Sequence, residues 1–311
     1  MKKICIVGGA NIDICGSSLE PLRQYDSNPG EISLSFGGVG RNIAQICALL
    51  GENVQFVTCF ASDPYAKMLK EDCRKLGIDI SKSSETEEYP SSIYMAILDQ
   101  NRDMKIAMSD MRILRAMDTA LLDRALEDLD EGDALILDAN LDLKSIEYLT
   151  KQAKSFLVAD PVSVQKSKRL VSVLPHLNVF KPNQYEAEAL TNIFVKDKET
   201  ARQCLSWFLN QGVQEIIVSL ADQGVILGSS EGMFWYRHRP IRLSNATGGG
   251  GSLLGAYVSE RIRGISPRKA IRFGLSAAVV SIEQDAVRRR SLESAKVREW
   301  MESMKIQEEK L

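Results

Sequence analysis

Residues 245–251 read Asn-Ala-Thr-Gly-Gly-Gly-Gly, and an apolar segment, Ser-Leu-Leu-Gly-Ala-Tyr-Val, follows at 252–258. Four consecutive glycines let the backbone turn tightly and leave its N–H groups unobstructed. A helix beginning there would aim its first unpaired N–H groups and the positive end of its dipole at one point. This pattern predicts a phosphate cradle. No side chain within the glycine run can move a proton.

The glycine run has other interpretations. Taken alone, it is also compatible with a flexible loop that caps a core helix. It is not a Walker A loop, because no Gly-Lys-Ser/Thr follows. It is not a dinucleotide fingerprint either, since that motif follows the first strand of a βαβ unit and has an acidic residue about 20 positions further on.

Composition places the chain among ordinary globular proteins. It has 311 residues, of which 44% are hydrophobic and 26% charged, and its formal net charge is -2. This near-balance argues against a dedicated nucleic-acid surface. No run approaches the roughly 18 apolar residues of a membrane helix. With two histidines and six scattered cysteines, a histidine-based triad or metal cluster is not expected, and the cysteines are typical of reduced, cytoplasmic thiols.

Short apolar, β-branched runs alternate with amphipathic segments along the chain, which predicts a mostly parallel sheet covered by helices. The predicted strands cover 4–8, 54–60, 134–138, 156–160, 179–181 and 215–220. The predicted helices cover 40–50, 66–76, 118–129, 143–154, 185–191 and 199–211, and the charged tail 291–311 is expected to be a solvated helix.

Two regions break this rhythm. Residues 31–36 alternate strictly between polar and apolar, and 93–98 and 104–108 flank a polar turn as a hairpin would. They predict half-exposed antiparallel strands. A small β layer of this kind is suited to be a lid that keeps water from a reactive phosphoryl group.

Polar residues follow the first predicted strand and a later glycine pair. Asn11 and Asp13 lie at the carboxyl end of the first strand, where open α/β sheets bind ligands. A carboxylate and an amide there suit vicinal hydroxyls of a sugar, although a local Asx turn is the alternative. Gly37 and Gly38 end a strand and open a helix, from which Asn42 could reach a hydroxyl, although a plain strand-to-helix turn also fits.

A third polar motif opens another helix. Asn183 and Glu186 follow Lys181-Pro182 with the spacing of a capping-box variant. The functional alternative is that both organise phosphate, water and Mg²⁺, a cation that prefers a carboxylate and several waters.

These three elements, in this order and spacing, resemble the ribokinase-like (PfkB) family of carbohydrate and nucleoside kinases over nearly the whole chain. The resemblance implies an α/β fold, a ribokinase-like three-layer sandwich with a mostly parallel central sheet and a small β-sheet lid. It implies one kinase domain over 1–311, with lid segments at approximately 14–36 and 91–110. Within the family, the pseudouridine kinase branch is most similar, through 37–44, 109–111, 138–140, 160–163 and 245–248.

The resemblance also implies roles for individual residues, with ATP and Mg²⁺ as cofactors and a monovalent cation left open. Sugar contacts would come from Asn11, Asp13, Gly37, Gly38 and Asn42. The base would lie near Asp110, Asp138, Asn140 and Lys166. The nucleotide would contact Asn183, Ser219, Gly224, Thr247, Gly248 and Gly250, with Glu186 on Mg²⁺ through water and Ala277, Ala278 and Ser281 near the adenine. In the nucleotide turn 219–224, Ala221 replaces the family's first glycine. A homodimer through the lid is a further expectation.

One departure concerns catalysis. The family's anion-hole motif, Gly-Ala-Gly-Asp, ends in the aspartate that accepts the proton of the attacking hydroxyl, whereas this chain reads Gly248-Gly249-Gly250-Gly251. General-base assistance is worth roughly 10²–10⁴ in rate, or about 3–5 kcal/mol of barrier. Three explanations stay open: an Asp→Gly change in a working kinase, a natural non-catalytic relative, or a substitute carboxylate from Asp13, Asp110 or Asp222.

The sequence therefore predicts a kinase scaffold for the 5′-hydroxyl of pseudouridine or a close nucleoside, with activity impaired at Gly251. The alternatives are a catalytically inactive sensor of nucleoside or nucleotide, and a kinase for another sugar such as ribose or fructose. A small-molecule substrate is expected, with neither nucleic acid nor membrane as a partner.

Overall fold

The computed structural model of the chain describes residues 2–239, 248–283 and 292–311. Of the residues singled out above, Asn245, Ala246 and Thr247 lie outside these ranges. The strands are β1 (Lys3–Val7), β2 (Asn11–Ser18), β3 (Gly30–Gly37), β4 (Asn53–Val57), β5 (Cys59–Ala61), β6 (Ser84–Thr86), β7 (Ser92–Leu98), β8 (Met104–Asp110), β9 (Ala134–Asp138), β10 (Phe156–Asp160), β11 (Val179–Phe180), β12 (Glu215–Ser219), β13 (Val225–Ser229), β14 (Gly232–Arg237) and β15 (Gln307–Lys310).

The helices alternate with these strands. They are α1 (Val39–Leu49), α2 (Pro64–Lys75), α3 (Thr119–Leu126), α4 (Leu143–Gln152), α5 (Val164–Ser167), α6 (Gln184–Thr191), α7 (Lys198–Asn210), α8 (Gly249–Ile262), α9 (Pro267–Glu283) and α10 (Ser294–Ser303). Three 3₁₀ segments add Arg112–Ala116, Lys168–His176 and Ala221–Gln223. Within the described ranges, no helix combines the length and apolarity needed to cross a membrane.

The central sheet confirms the predicted α/β class. Its strand order is β15-β14-β13-β12-β11-β10-β9-β1-β4. Six neighbouring strands of this sheet pair in parallel, in the order β4, β1, β9, β10, β11 and β12. Strands β13, β14 and β15 continue the sheet in antiparallel pairing. Every residue of β9 is buried, as expected for a strand covered on both faces. The result is an α/β architecture with a mostly parallel central sheet, as the resemblance implies.

Two predictions about the central sheet were wrong in detail. The strand predicted at 54–60 ends at Val57, and β5 instead pairs with β6 in a separate two-stranded sheet. The tail is helical only through α10, after which β15 pairs with β14 at the sheet edge. The sequence of β15 is polar and has no apolar period. It is held by ladder bonds and by Glu309, which accepts from Arg237 at 2.7 Å.

A second sheet has the order β3-β2-β7-β8. The predicted strands β3, β7 and β8 each form an antiparallel pair, as expected, and β7 also runs parallel to β2. The parallel pair arises because β2 and β7 are joined by a long connection that passes through the central sheet. Along β2, Asn11, Asp13 and Cys15 share one face, since successive side chains in a strand point to opposite faces.

The opposite face of this sheet is apolar, and most of its side chains are exposed, whereas Ile14 and Ile97 are half-buried. Cross-strand register aligns Leu34, Ile14, Met95 and Met108 in one row, and Ile32, Gly16, Ile97 and Ile106 in the next. Ile32 is 81% exposed and Met108 73% exposed. The predicted half-exposure therefore holds for β7, whereas β3 and β8 are exposed along most of their length.

Helix α8 begins at Gly249, directly after Gly248, as the glycine run predicts. Gly248 is the N-cap and has a φ of 94°, a left-handed conformation that glycine adopts without strain. The helix packs against α1, where the Cys47 Sγ donates to the carbonyl of Gly255 at 3.7 Å. This contact brings the first turn of α8 beside the glycines and polar residues of α1.

Candidate active site

A buried carboxylate ties together the segments that build the site. Asp138, at the end of β9, is 0% exposed. Its Oδ2 accepts from the backbone N–H of Gly9 at 3.0 Å and of Gly40 at 2.7 Å, and its Oδ1 accepts from that of Asn140 at 2.9 Å. Burial raises its pKa, and these three N–H donors oppose the rise. These bonds commit the Asp138 carboxylate to the scaffold, and its expected place near a base stays a prediction.

The predicted sugar residues of β2 lie together. The Asn11 amide Nδ2 donates to the Asp13 carboxylate, and Asn11 is buried. Burial raises the pKa of Asp13 to about 6, although the Arg41 charge and the Asn11 bond favour its ionised form. A Cβ placed on Gly37 would fall onto the Asp13 carboxylate. The glycine therefore leaves the Asp13 carboxylate accessible over the turn into α1.

Gly38 and Asn42 complete this turn. Gly38 has a φ of 96° and is the N-cap of α1, and a Cβ there would collide with the carbonyl of Gly9. Arg41, 3% exposed, is ion-paired with Asp72 and donates through Nη1 to the Asn42 Oδ1 at 3.0 Å. Because this bond occupies its oxygen, Asn42 offers a ligand its amide N–H groups. Sequence reasoning missed Arg41, whose only signal is a charged residue beside an apolar helix face.

Two of the predicted base residues line one cavity. The Lys166 Nζ donates to the Asn140 Oδ1 at 2.6 Å, and both side chains line a cavity of about 260 Å³. Asp110 ends β8 beside this cavity, but its carboxylate accepts from the Arg112 guanidinium, with Nη2 to Oδ2 at 2.7 Å. The structure thus brings Asn140 and Lys166 together and gives Asp110 a partner of its own.

Asn183 and Glu186 cap helix α6. The Asn183 Oδ1 accepts from the backbone N–H of Tyr185 at 2.9 Å and of Glu186 at 3.0 Å, while the Glu186 Oε2 accepts from that of Asn183 at 2.7 Å. The predicted capping box is confirmed. Asn183 also forms a bridge with Ser219, which places the end of β12 beside this helix start.

Lys181 is a site residue that the sequence analysis missed. Its side chain is 4% exposed, and its Nζ lies 3.2 Å from the Asp160 Oδ2. A Cβ placed on Gly250 would lie 3.1 Å from the same Nζ, so this ammonium group sits against the first turn of α8. A buried cation beside a helix N-terminus strengthens a site for anions. Its one signal in the sequence is a lysine directly after a buried strand.

The carboxylates near Lys181 suit a divalent cation. Burial raises the pKa of Glu186, the negative charge of Asp160 raises it further, and Lys181 opposes the rise. The single ammonium of Lys181 therefore interacts with two carboxylates, those of Asp160 and Glu186. Mg²⁺ prefers carboxylate oxygens together with water and phosphate. No group of three or more His, Cys, Asp or Glu side chains forms a metal cluster in the part of the chain that the structure describes. A magnesium ion here would take its remaining ligands from phosphate and water.

Position 251, where the resemblance implies that the family has its base, has room for a side chain. A Cβ placed on Gly251 would make an ordinary contact with the Ile43 Cγ1 at 3.6 Å. A Cβ on Gly249 would instead meet the Ile282 Cδ1 at 2.6 Å. Of the proposed substitute carboxylates, Asp110 is paired with Arg112 and Asp222 is exposed in a 3₁₀ turn.

The remaining predicted nucleotide residues divide into two groups. Gly224 ends the turn after β12 with a φ of 87°, and a Cβ there would collide with the carbonyl of Tyr236. Ala221, where the family has glycine, has a φ of 52°. Ala277, Ala278 and Ser281 are buried, and the Ser252 Oγ donates to the Ser281 Oγ at 2.9 Å between α8 and α9. Of these three residues only Ala278 keeps any exposed surface, 7%, and their place near an adenine ring stays a prediction.

Comparison with known proteins gives consistent matches. A sequence model described as pfkB family carbohydrate kinase matches residues 1–294. Pseudouridine kinase from Escherichia coli is 30% identical over 284 residues, covering 90% of this chain and 91% of that protein. A carbohydrate kinase from Agrobacterium tumefaciens superposes with a TM-score of 0.85 at 24% identity, covering 100% of both chains. Ribokinase from Arabidopsis thaliana, solved with ribose and ATP, superposes with a TM-score of 0.83 at 18% identity and covers 97% of this chain and 99% of that one.

Proposed function

The chain belongs to the pfkB family of carbohydrate kinases, and we propose that it is an ATP- and magnesium-dependent scaffold for phosphorylating the 5′-hydroxyl of pseudouridine or a close nucleoside. The observation that carries this proposal is one edge of the fold, where Asp13 and Asn42 offer complementary groups to sugar hydroxyls and Lys181 lies against the first turn of α8. Sugar recognition and an anion site are the two requirements of the reaction.

The residues divide the work of the reaction between them. The Asp13 carboxylate accepts hydrogen bonds from sugar hydroxyls, and the Asn42 amide donates to them. The N–H groups of Gly249 and Gly250, with the Lys181 ammonium, hold the transferring phosphoryl group by charge and position. Glu186 and Asp160 would hold Mg²⁺ through water, and the bound ion would neutralise phosphate oxygens.

The second sheet would act as the lid over the sugar. Asn11 and Asp13 lie on the face of β2 opposite to the exposed apolar rows, so closure of this sheet onto a ligand would bury the polar face. Excluding water protects the phosphoryl group from hydrolysis and strengthens charge interactions at the site.

Gly251 limits the chemistry of this scaffold. With no side chain at that position, nothing there accepts the hydroxyl proton, so turnover would depend on positioning and charge neutralisation alone. This same observation favours a second candidate function, a sensor that binds nucleoside or nucleotide without converting it. The sensor predicts ligand binding with no product after long incubation.

Calorimetry with the purified chain tests the substrate. Pseudouridine should bind more tightly than ribose or fructose, because only the nucleoside fills the cavity lined by Asn140 and Lys166 as well as the sugar site. Tighter binding of a bare sugar would overturn the substrate assignment. Failure to bind any adenine nucleotide would overturn the kinase scaffold itself.

The exposed apolar face supports a homodimer through the lid. Seven apolar side chains fill the two rows of that face, with Gly16 as the eighth member. A contiguous apolar surface of this kind is unfavourable in water, and a second copy offers the matching apolar face that an isologous contact requires. In sedimentation analysis, Ile106→Glu should give a monomer where the wild type is a dimer. A monomeric wild type would overturn this assembly.

A reducing compartment suits the thiols. All six cysteines are free, and burial raises the pKa of Cys5, Cys47 and Cys204 to about 12. Such thiols are inert and need no oxidising environment. We therefore place the chain in the cytoplasm. Recovery of the folded protein with all six thiols free to a maleimide after denaturation would agree, and intramolecular disulfides would contradict it.

A further inference from the structure

The cavity of about 260 Å³ beside the sugar site presents mainly hydrogen-bond donors. Its polar lining consists of Arg112, Arg115, Asn140, Asp142, Lys166 and Arg169. Four of these side chains are cations and one is a carboxylate. The Asp142 Oδ1 accepts from the backbone N–H of Ser145 at 2.8 Å, which commits that carboxylate to the start of α4.

The orientation of the Asn140 amide follows from its partner. An ammonium group can only donate, so the atom 2.6 Å from the Lys166 Nζ must be the amide oxygen. The amide nitrogen of Asn140 is then the group offered to a ligand, and it lies 3.1 Å from where a Cβ on Gly9 would stand. One N–H of this amide hydrogen-bonds the Asp138 carboxylate, and Asn140 presents the other at the junction between this cavity and the turn that carries Asn11 and Asp13.

Two of the four cations bind neighbouring groups of the protein, and the other two can contact a ligand. Arg169 donates through Nη1 to the carbonyls of Ala139 at 3.1 Å and Leu141 at 3.0 Å, and so fixes the wall that carries Asn140. Arg112 is paired with Asp110. Arg115 and Lys166 are the cations left to face a ligand. Burial lowers the pKa of Lys166, so the charged form of this group gains from an added acceptor.

We propose that this cavity binds acceptor oxygens at the end of the substrate opposite to the phosphorylated hydroxyl, namely the carbonyl oxygens of a uracil-type base. Asn140, Lys166 and Arg115 are its specificity-determining residues, and a base that presents an amino group there is rejected because donor would meet donor. The inference rests on the proposed nucleoside function. The same donors would accept the oxygens of a phosphorylated sugar, and the experiment distinguishes the two sources.

The test compares uridine with cytidine, which differ at C4, where a carbonyl oxygen is replaced by an amino group, and at N3, which carries a proton in uridine and none in cytidine. Calorimetry on the full chain should give a Kd for uridine at least about tenfold lower than for cytidine. In Lys166→Met the ratio of the two Kd values should fall towards one, and Arg115→Ala should lower it in part. Lys168→Met, which removes a nearby lysine outside the cavity, is the matched control and should keep the wild-type ratio.

Thermal unfolding of each variant separates misfolding from lost recognition, and Arg115 is exposed, so its replacement leaves the core intact. A wild-type ratio near one, or a ratio that Lys166→Met and Arg115→Ala both leave unchanged, would overturn the inference while pseudouridine binding upheld the proposed function. If pseudouridine, uridine, cytidine and ribose all fail to bind, the function fails and this inference fails with it. If fructose 6-phosphate binds more tightly than uridine and weakens in Lys166→Met, the donor cavity stands, its oxygens belong to a phosphate, and the nucleoside assignment is the part that fails.

Discussion

Restoring the aspartate at position 251 is the sharpest test of the scaffold. The side chain fits, because a Cβ there lies 3.6 Å from the Ile43 Cγ1, whereas an additional Gly249→Ala would have to displace Ile282. The single change Gly251→Asp is therefore the one to make. A positioned general base is worth roughly 10²–10⁴ in rate, and since tenfold is about 1.4 kcal/mol, the barrier should fall by about 3–5 kcal/mol.

Gly251→Asn is the matched control for this change. Asparagine has the size of aspartate and, like aspartate, makes the helix start less flexible than glycine does, but its amide cannot accept the hydroxyl proton. Position 251 lies in the first turn of α8, so aspartate should add about 0.3–1 kcal/mol of stability through the helix dipole over asparagine. The assay follows ADP release and pseudouridine 5′-phosphate by chromatography at saturating ATP, magnesium and pseudouridine.

The expected result is a kcat at least about a hundredfold higher in Gly251→Asp than in wild type, with Gly251→Asn unchanged and KM similar in all three. Equal gains in both variants would show that the helix start, and not a base, limits turnover. If a folded Gly251→Asp variant binds both ligands but forms no product, the proposed kinase activity is refuted and the sensor is favoured.

Three further predictions concern charge and backbone strain. Burial raises the pKa of Asp13 from 3.8 to about 6, so folding takes up a proton between these values, and the free energy of unfolding should fall as pH rises through that window. In urea denaturation, Asp13→Asn should lose this pH-dependent component. The affinity for the sugar, measured by calorimetry, should rise as pH passes 6. Lys181→Met should lower the free energy of unfolding, measured by urea denaturation, by about 3–5 kcal/mol, because it leaves the buried Asp160 charge unpaired. Adding Asp160→Asn should restore much of this loss. An unchanged urea midpoint for Lys181→Met alone would contradict the stabilising ion pair. Ala221→Gly should stabilise the fold by about 1 kcal/mol, since the alanine has a φ of 52°, and a lower thermal midpoint would argue against strain at that turn.

Local patterns carried much of the fold and part of the site. The alternation of apolar runs with amphipathic segments predicted the central parallel sheet, and the glycine run predicted the start of α8. Asn183 and Glu186 carried their capping box in their spacing alone. These features depend on residues that are close in sequence, because adjacent residues decide the backbone conformation and the local side-chain hydrogen bonds.

The second sheet shows where pattern reasoning stopped. Strict alternation at 31–36 revealed a strand, but not that Ile32 would lie 81% exposed. Alternation says that one face differs from the other and not what covers it. The polar segment of β15 carried no apolar period, so its place at the sheet edge depended on the free ladder groups of β14.

By itself, the sequence determined the α/β class, the glycine-opened helix α8 and the absence of a proton acceptor at Gly251. Only the tertiary structure decided that Lys181 lies against Gly250, that Asp138 accepts from three backbone N–H groups and that Lys166 donates to the Asn140 amide oxygen. The physical reason is distance along the chain. Each of these contacts joins segments that meet only once the parallel strands align their carboxyl ends, and no local periodicity records which side chains then face one another.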